Sequence, residues 1–156
     1  MPSDVRRTST VYARVQTTLL CAFAMIFFFD NTQPLFAVAE TRLLGDVLCA
    51  VGVGLLFAAL TSIRRAVQIA PEPRPGARLI TSGVYGWLRH PIYTAIVLLV
   101  VGLFLRKRTA AIGIVAVVVI IFLAAKVKFE ERLLAATYAE YLDYKRRTWG
   151  IVPGFR

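Results

Sequence analysis

"PIYTAIVLLVVGLFLRKRTAAIGIVAVVVIIFLAAKVKFEE", residues 91–131, contains two apolar runs split by Arg106, Lys107 and Arg108. A helix that crosses a bilayer needs about 20 residues at 1.5 Å each. Thr109–Val127 meets that length. Ile92–Leu105 is short. It either tilts into a thinned region or forms a helical hairpin with the next run that does not fully cross. Both arrangements place the start of the first run beside the end of the second.

Two more apolar stretches lie upstream, Val15–Phe29 and Leu43–Ile63. The first reaches spanning length if it begins near Val11 with Arg14 snorkelling to the headgroups. The chain of 156 residues is 58% hydrophobic and 18% charged. A soluble fold of this size could not hide so much apolar surface, so lipid is the expected solvent. The expectation is an all-α integral membrane protein with about four transmembrane helices, the third and fourth as a hairpin, and a C-terminal amphipathic helix. All of 1–156 forms one membrane domain: spans within 1–63, a loop over 64–91, the hairpin over 92–127 and a tail over 128–156. "AVA" at 37–39 resembles a signal-peptidase site, but Phe29 is distant and Pro34 intervenes, so the first run reads as a span.

The net charge is +10. The basic residues sit in short segments between apolar runs, which suits anionic lipid headgroups and argues against nucleic acid. Every Lys and Arg except Arg42, Arg106, Lys107 and Arg108 falls on one side if the chain crosses four times. The positive-inside rule then puts both termini and the 64–91 loop in the cytosol. Arg106–Arg108 opposes that rule. Cys21 and Cys49 lie inside apolar runs without metal or redox spacing and read as small buried hydrophobes. In the second span Ala50, Gly54 and Ala58, with Gly52, suggest a close-packing face. Asp46 lies in that helix's first turn, where the dipole favours an acid.

"PEPRPG" at 71–76 is a stiff, extended connector. After it comes "LITSGVYGWLRHPIY", residues 79–93. Pro91 suits the first turn of a helix, so Arg89 and His90 stand at a helix mouth whose free N–H groups favour an anionic group. Taken alone, the pair reads as a headgroup anchor. The tail "KVKFEERLLAATYAEYLDYKRR" alters that reading. Leu133, Leu134, Tyr138, Tyr141 and Leu142 recur at helical spacing, which predicts an amphipathic helix continuing from the fourth span. Glu130 and Glu131 point about 100° apart. One should face a pocket while the other pairs with Lys126, Lys128 or solvent. The hairpin thus gathers an Arg, a His, two Glu and several Tyr at the membrane boundary, where ionisable groups are costly and usually functional. Such a set suits a zwitterionic sulfonium compound, whose cation aromatic rings attract by roughly 0.5–2 kcal/mol.

These residues carry a resemblance. The order G-x-Y-x-x-x-R-H-P-x-Y, E-E-x-x-L, Y-x-x-Y and a late Pro resembles the isoprenylcysteine carboxyl methyltransferase family and its wider relatives, the membrane phospholipid methyltransferases. It covers residues 78–156. The resemblance implies S-adenosylmethionine as methyl donor and S-adenosylhomocysteine as product. It implies cofactor contacts at Leu79, Ile80, Gly83, Tyr85, His90, Tyr93, Glu131 (or Glu130), Leu134 and Tyr138, with Arg89 near the methyl-transfer point; on chemical grounds Glu130 is the second candidate catalytic residue. Ala139 departs from the Gly usual after the tail aromatic, and Tyr141 comes one residue early. Membrane sterol reductases share R-H-P-x-Y, but Ile92 and "KFEERLL" differ from their pattern.

The expected function is methyl transfer to a lipophilic or lipid-linked acceptor entering from the bilayer, with no metal. A carboxylate held by Arg89 is favoured. An amine of a phospholipid, with Glu130 or Glu131 as base, is the alternative. A non-enzymatic four-helix adaptor or small transporter would instead show polar groups near the midplane, and the spans show almost none.

Overall fold

The structure is a computed structural model that describes residues 3–36, 39–63, 79–152 and 154. The 71–76 connector, Arg64, Arg65, Arg74, Arg78, Arg156 and most of the 37–39 stretch lie outside the described residues. Five α-helices and one 3-10 turn form the described part: α1 Ser3–Phe29, α2 Ala39–Ser62, the turn Gly83–Gly86, α3 Pro91–Lys107, α4 Ala110–Thr137 and α5 Tyr141–Arg147.

α1 begins well before the apolar run. Asp4 occupies its first turn, and Thr8, Thr10 and Thr17 return their hydroxyls to carbonyls one turn back. These bonds satisfy the three threonine hydroxyls within the helix. α1, α2 and α4 are long and apolar enough to cross a membrane. α3 has 17 residues, about 26 Å, which is less than a hydrocarbon core of about 30 Å.

Phe23 of α1, Val100 of α3 and Ile112, Ala116, Val119 and Leu123 of α4 form the buried apolar cluster. Tyr12 stacks on Phe129 at 5.0 Å between ring centres and thereby extends the α1–α4 contact toward the site. Phe28, Phe57, Ile114 and Ile121 face outward. Such exposure would promote association in water, whereas in lipid it is neutral.

α2 lies against α3 through small residues that include Gly52 of the expected face but not Ala50 or Gly54. A Cβ on Gly45 would stand 2.7 Å from the Gly102 carbonyl oxygen, and a Cβ on Gly102 would stand 2.7 Å from Cys49 Sγ. Gly52 and Ala59 continue this buried stripe. Ala50 and Gly54 are exposed, and nothing lies within 4 Å of a Cβ on Gly54. The contact row has a seven-residue period, which suits two helices at a small crossing angle. Cys21 is exposed rather than buried, while Cys49 is part of the packed row.

Arg108 and Thr109 alone join α3 to α4. Arg108 takes a left-handed conformation (φ 61°) as the C-cap, and its N–H returns to Phe104 O at 2.6 Å. The Arg106–Arg108 cluster is tied to the α1–α2 connection. Arg106 pairs with Asp46, Lys107 donates to Asp30 O, Arg108 donates to Thr41 Oγ1 at 3.2 Å, and Thr109 donates to the Asp30 carboxylate. The Thr109 bond holds the Asp30 carboxyl below the usual carboxylate range. Asp46 is therefore an ion-pair partner of α3 as well as an acid near a helix start.

The tail is not one continuous helix. α4 ends at Thr137, Tyr138 is extended (φ −117°, ψ 116°), and α5 restarts at Tyr141. The break swings Tyr141 inward to 1% exposure while Leu142 points out. Ala139 needs none of glycine's conformational freedom, since among the described residues Arg108 is the one non-glycine residue with positive φ.

Candidate active site

Pro91 opens α3 at its first position, with His90 as N-cap. The two-residue α3–α4 connection makes the helices antiparallel, so the His90 end of α3 meets the Glu130 end of α4. Glu130 and Glu131 both reach the imidazole, from opposite sides. His90 Nδ1 lies 3.8 Å from Glu130 Oε2, and Nε2 lies 3.4 Å from Glu131 Oε1. The expectation that one acid pairs with Lys126 is met by Glu130, but that acid faces the imidazole as well. The imidazole stands between the two carboxylates, so side chains 100° apart each meet one ring nitrogen.

The two acids have different partners. Glu130, buried, accepts a 2.5 Å hydrogen bond from the Tyr93 hydroxyl and lies 3.8 Å from Lys126 Nζ. Glu131 accepts from Arg89 Nε at 2.9 Å and from Lys145 Nζ at 2.5 Å. The His90 and Tyr93 rings stack at 5.8 Å, one helical turn apart.

Arg89 is a clamp. Its side chain is 3% exposed. Besides Glu131, its Nη1 donates to the Lys145 carbonyl at 2.9 Å and to the Thr148 carbonyl. The residues after α5 return along the loop before α3. A parallel bridge joins Leu88 and Trp149, with Arg89 N donating to Trp149 O at 2.8 Å and Trp149 N to Trp87 O at 2.9 Å. Thr94 Oγ1 donates to Ile151 O, and the Tyr144 hydroxyl to Tyr85 O at 2.6 Å. Burial pushes the Tyr144 hydroxyl up to about 12 and also raises Tyr85 and Tyr141.

Gly83 is left-handed (φ 62°), and a Cβ there would stand 2.6 Å from Ser62 Oγ, so the end of α2 seats the 3-10 turn. Tyr85 is half-buried on that turn, and Leu79 and Ile80 lead into it half-buried. Leu134 and Tyr138 are also half-buried. Neither side chain hydrogen-bonds to the His90 group among the described residues. Two buried polar atoms there have no hydrogen-bond partner: His90 Nε2, near Glu131 but off-axis, and the Tyr141 hydroxyl. No group of His, Cys, Asp and Glu among the described residues could hold a metal.

Sequence reasoning missed Gln16, whose Oε1 accepts from Lys126 Nζ at 2.5 Å. Its signal was faint: Gln16 is a lone amide on the same α1 face as Tyr12, Leu19 and Phe23. Nothing in the sequence singles out Lys145 or Thr148.

The chain belongs to the phospholipid methyltransferase family, whose sequence model matches residues 41–141. It is 30% identical over 103 residues to the cobalt-zinc-cadmium resistance protein CzcN of Cupriavidus metallidurans, covering 65% of this chain and 48% of that protein. It is 30% identical over 105 residues to the nickel-cobalt-cadmium resistance protein NccN of Alcaligenes xylosoxydans xylosoxydans, with the same two coverages. The chain thus spans about half the length of these relatives.

Proposed function

We propose that the protein is a multi-pass membrane methyltransferase that uses S-adenosylmethionine and methylates a lipophilic acceptor reaching the site from the bilayer. The observation that carries this reading is the meeting of His90, Glu130 and Glu131 at one end of the bundle. The Lys and Arg distribution favours the cytosolic side for that end, where a soluble cofactor and a lipid can meet.

The residues present suit the cofactor. His90 Nε2, 3.4 Å from Glu131 Oε1, and the Tyr141 hydroxyl are buried without a well-formed hydrogen bond, a state that a polar ligand would relieve. The glutamates offer acceptors for an ammonium or ribose hydroxyls, and Tyr85 and Tyr93 offer aromatic faces for a cation. Leu79, Ile80, Leu134 and Tyr138 supply apolar walls. When bound, S-adenosylmethionine brings a methyl group already activated by its sulfonium and departs as S-adenosylhomocysteine. The chain's own task is then to position the acceptor and exclude water.

Arg89 bears on the acceptor. A guanidinium that holds Glu131 and two carbonyls is poorly placed to orient an incoming carboxylate. Glu130 lacks such a direct Arg or Lys hydrogen bond and can take a proton from an acceptor ammonium, so that the freed amine attacks. We therefore favour an amine on a lipid headgroup over the carboxylate of an isoprenylated acceptor.

Thermal unfolding of the detergent-purified protein with S-adenosylmethionine tests the cofactor. At 100 times the dissociation constant the ligand should add about 2.7 kcal/mol. No shift, together with no heat of binding by calorimetry, would refute the reading. Incubating lipid extracts with methyl-labelled cofactor and separating the products then identifies the acceptor.

A further inference from the structure

Lys126 is the one lysine of α4's buried face, and it sits one helical turn before Glu130. Its side chain is 4% exposed, although α4 otherwise reads as a membrane-crossing helix. A charge at that depth is expensive unless it is paired, and removing one partner of a buried pair leaves the other uncompensated. Lys126 Nζ stands 3.8 Å from Glu130 Oε1, 5.2 Å from the centre of the Tyr93 ring and 2.5 Å from Gln16 Oε1. Glu130 Oε1 in turn accepts from the Tyr93 hydroxyl. A continuous polar path therefore runs from α1 through α4 to α3: Gln16, Lys126, Glu130, Tyr93. It is embedded in a bundle whose other interhelical contacts at this level are aromatic and aliphatic, such as Tyr12 on Phe129.

We propose that Lys126, held in place by Gln16, is the positioning residue that keeps Glu130 ionised and turned toward Tyr93 and His90, so that α1 forms part of the catalytic machinery. This rests on the proposed role of Glu130 as the proton acceptor, since a base must be deprotonated before the acceptor arrives. The groups facing Glu130 are few. Lys126 faces it from its own helix, His90 from the loop before α3, Tyr93 from α3 and Tyr85 from the 3-10 turn. Lys126 is the one lysine or arginine among them, and its Nζ stands 3.8 Å from Glu130 Oε1. Arg89 and Lys145 are both engaged with Glu131. Gln16 is an acceptor without charge, so it orients the ammonium without drawing it away from Glu130.

The test is infrared difference spectroscopy of the full chain in detergent, with Glu130→Gln as the subtraction reference that isolates the Glu130 band. Wild type and Lys126→Arg should show the carboxylate bands of an ionised Glu130. Lys126→Met should show a protonated carboxyl in their place. Gln16→Leu, which removes no charge and is the gentler change should Lys126→Met fail to fold, should shift and broaden the carboxylate bands. An ionised Glu130 in Lys126→Met, a protonated one in wild type, or bands in Gln16→Leu identical to wild type would each overturn the proposal. Methyl transfer to lipid extract supplies the second readout. Lys126→Met should lower turnover at least tenfold, the Lys126→Met/Glu130→Gln double variant should fall no further than Glu130→Gln alone, and Lys126→Arg should restore most of the loss. Losses that add instead would make Lys126 a stability residue independent of Glu130. If the wild type transfers no methyl group to any lipid, the proposed function fails while the infrared result still decides the role of Lys126.

Discussion

Replacing Arg89 by alanine should release the tail before it unfolds the bundle. The guanidinium is almost wholly buried and makes three hydrogen bonds, one to Glu131 and two to carbonyls of Lys145 and Thr148. Hydrogen bonds to charged groups contribute about 1.5–3 kcal/mol each, and breaking a buried ion pair costs about 3–5 kcal/mol. Lys145 would still neutralise part of the Glu131 charge, and its side chain is 42% exposed. The lower end, about 3 kcal/mol, is therefore the expected loss. That free energy is local, because the lost partners lie in α5 and the residues after it, whereas the apolar α1–α3–α4 cluster does not involve Arg89. Every 1.4 kcal/mol is a factor of ten in an equilibrium. Amide exchange at Trp149, whose N–H donates to Trp87 O, should thus speed up by about a hundredfold, while the amides of the α1–α4 contact keep wild-type protection. Arg89→Lys keeps the charge but not the fork, so it should recover only part of the protection. Wild-type exchange at Trp149 in Arg89→Ala would refute the clamp. Equal acceleration throughout the bundle would refute its local character.

Three further outcomes follow from the geometry. Gly102→Ala should lower stability by about 1–3 kcal/mol through overpacking against Gly45 and Cys49, whereas Gly54→Ala should lose nothing; the unfolding midpoint in mixed micelles compares them. Tyr144→Phe should cost about 1 kcal/mol for the lost bond to Tyr85 O. Because the folded Tyr144 hydroxyl is raised to about 12, above the ordinary tyrosine value near 10, its contribution is whole below about pH 10 and is lost as pH rises through about 12. The stability gap between wild type and Tyr144→Phe, measured by unfolding across that range, should close accordingly; a gap constant with pH would exclude this bond as its source.

The site was legible for a simple reason. Arg89, His90, Glu130 and Glu131 stand out in an apolar background, and two runs of similar length joined by a short turn bring their outer ends together. The packing face of α2 was not legible. That helix is apolar all round, so its pattern carries no phase. With Gly52 and Gly54 two residues apart, small side chains appear on more than one face, and only α3 selects among them, with Gly102 against Gly45 and Ala95 and Leu99 against Gly52. The role of Arg89 was hidden because its partners are main-chain carbonyls, which any residue would provide. The break at Tyr138 was hidden because α4 and α5 keep a common apolar spacing across it. Gln16 differed from its neighbours by one amide, and its meaning depends on a lysine 110 residues away.

The oxygens that cradle the Arg89 guanidinium belong to residues 56 and 59 positions further along the chain. At translation rates of about 5–20 residues per second, they emerge roughly 3–12 s after the arginine. Throughout that interval a side chain destined for a dry interior has to be kept wet, and the surface of the membrane is where it can wait. Completion of the candidate site is therefore a late event in biogenesis, timed by the arrival of a strap rather than by insertion of the helices.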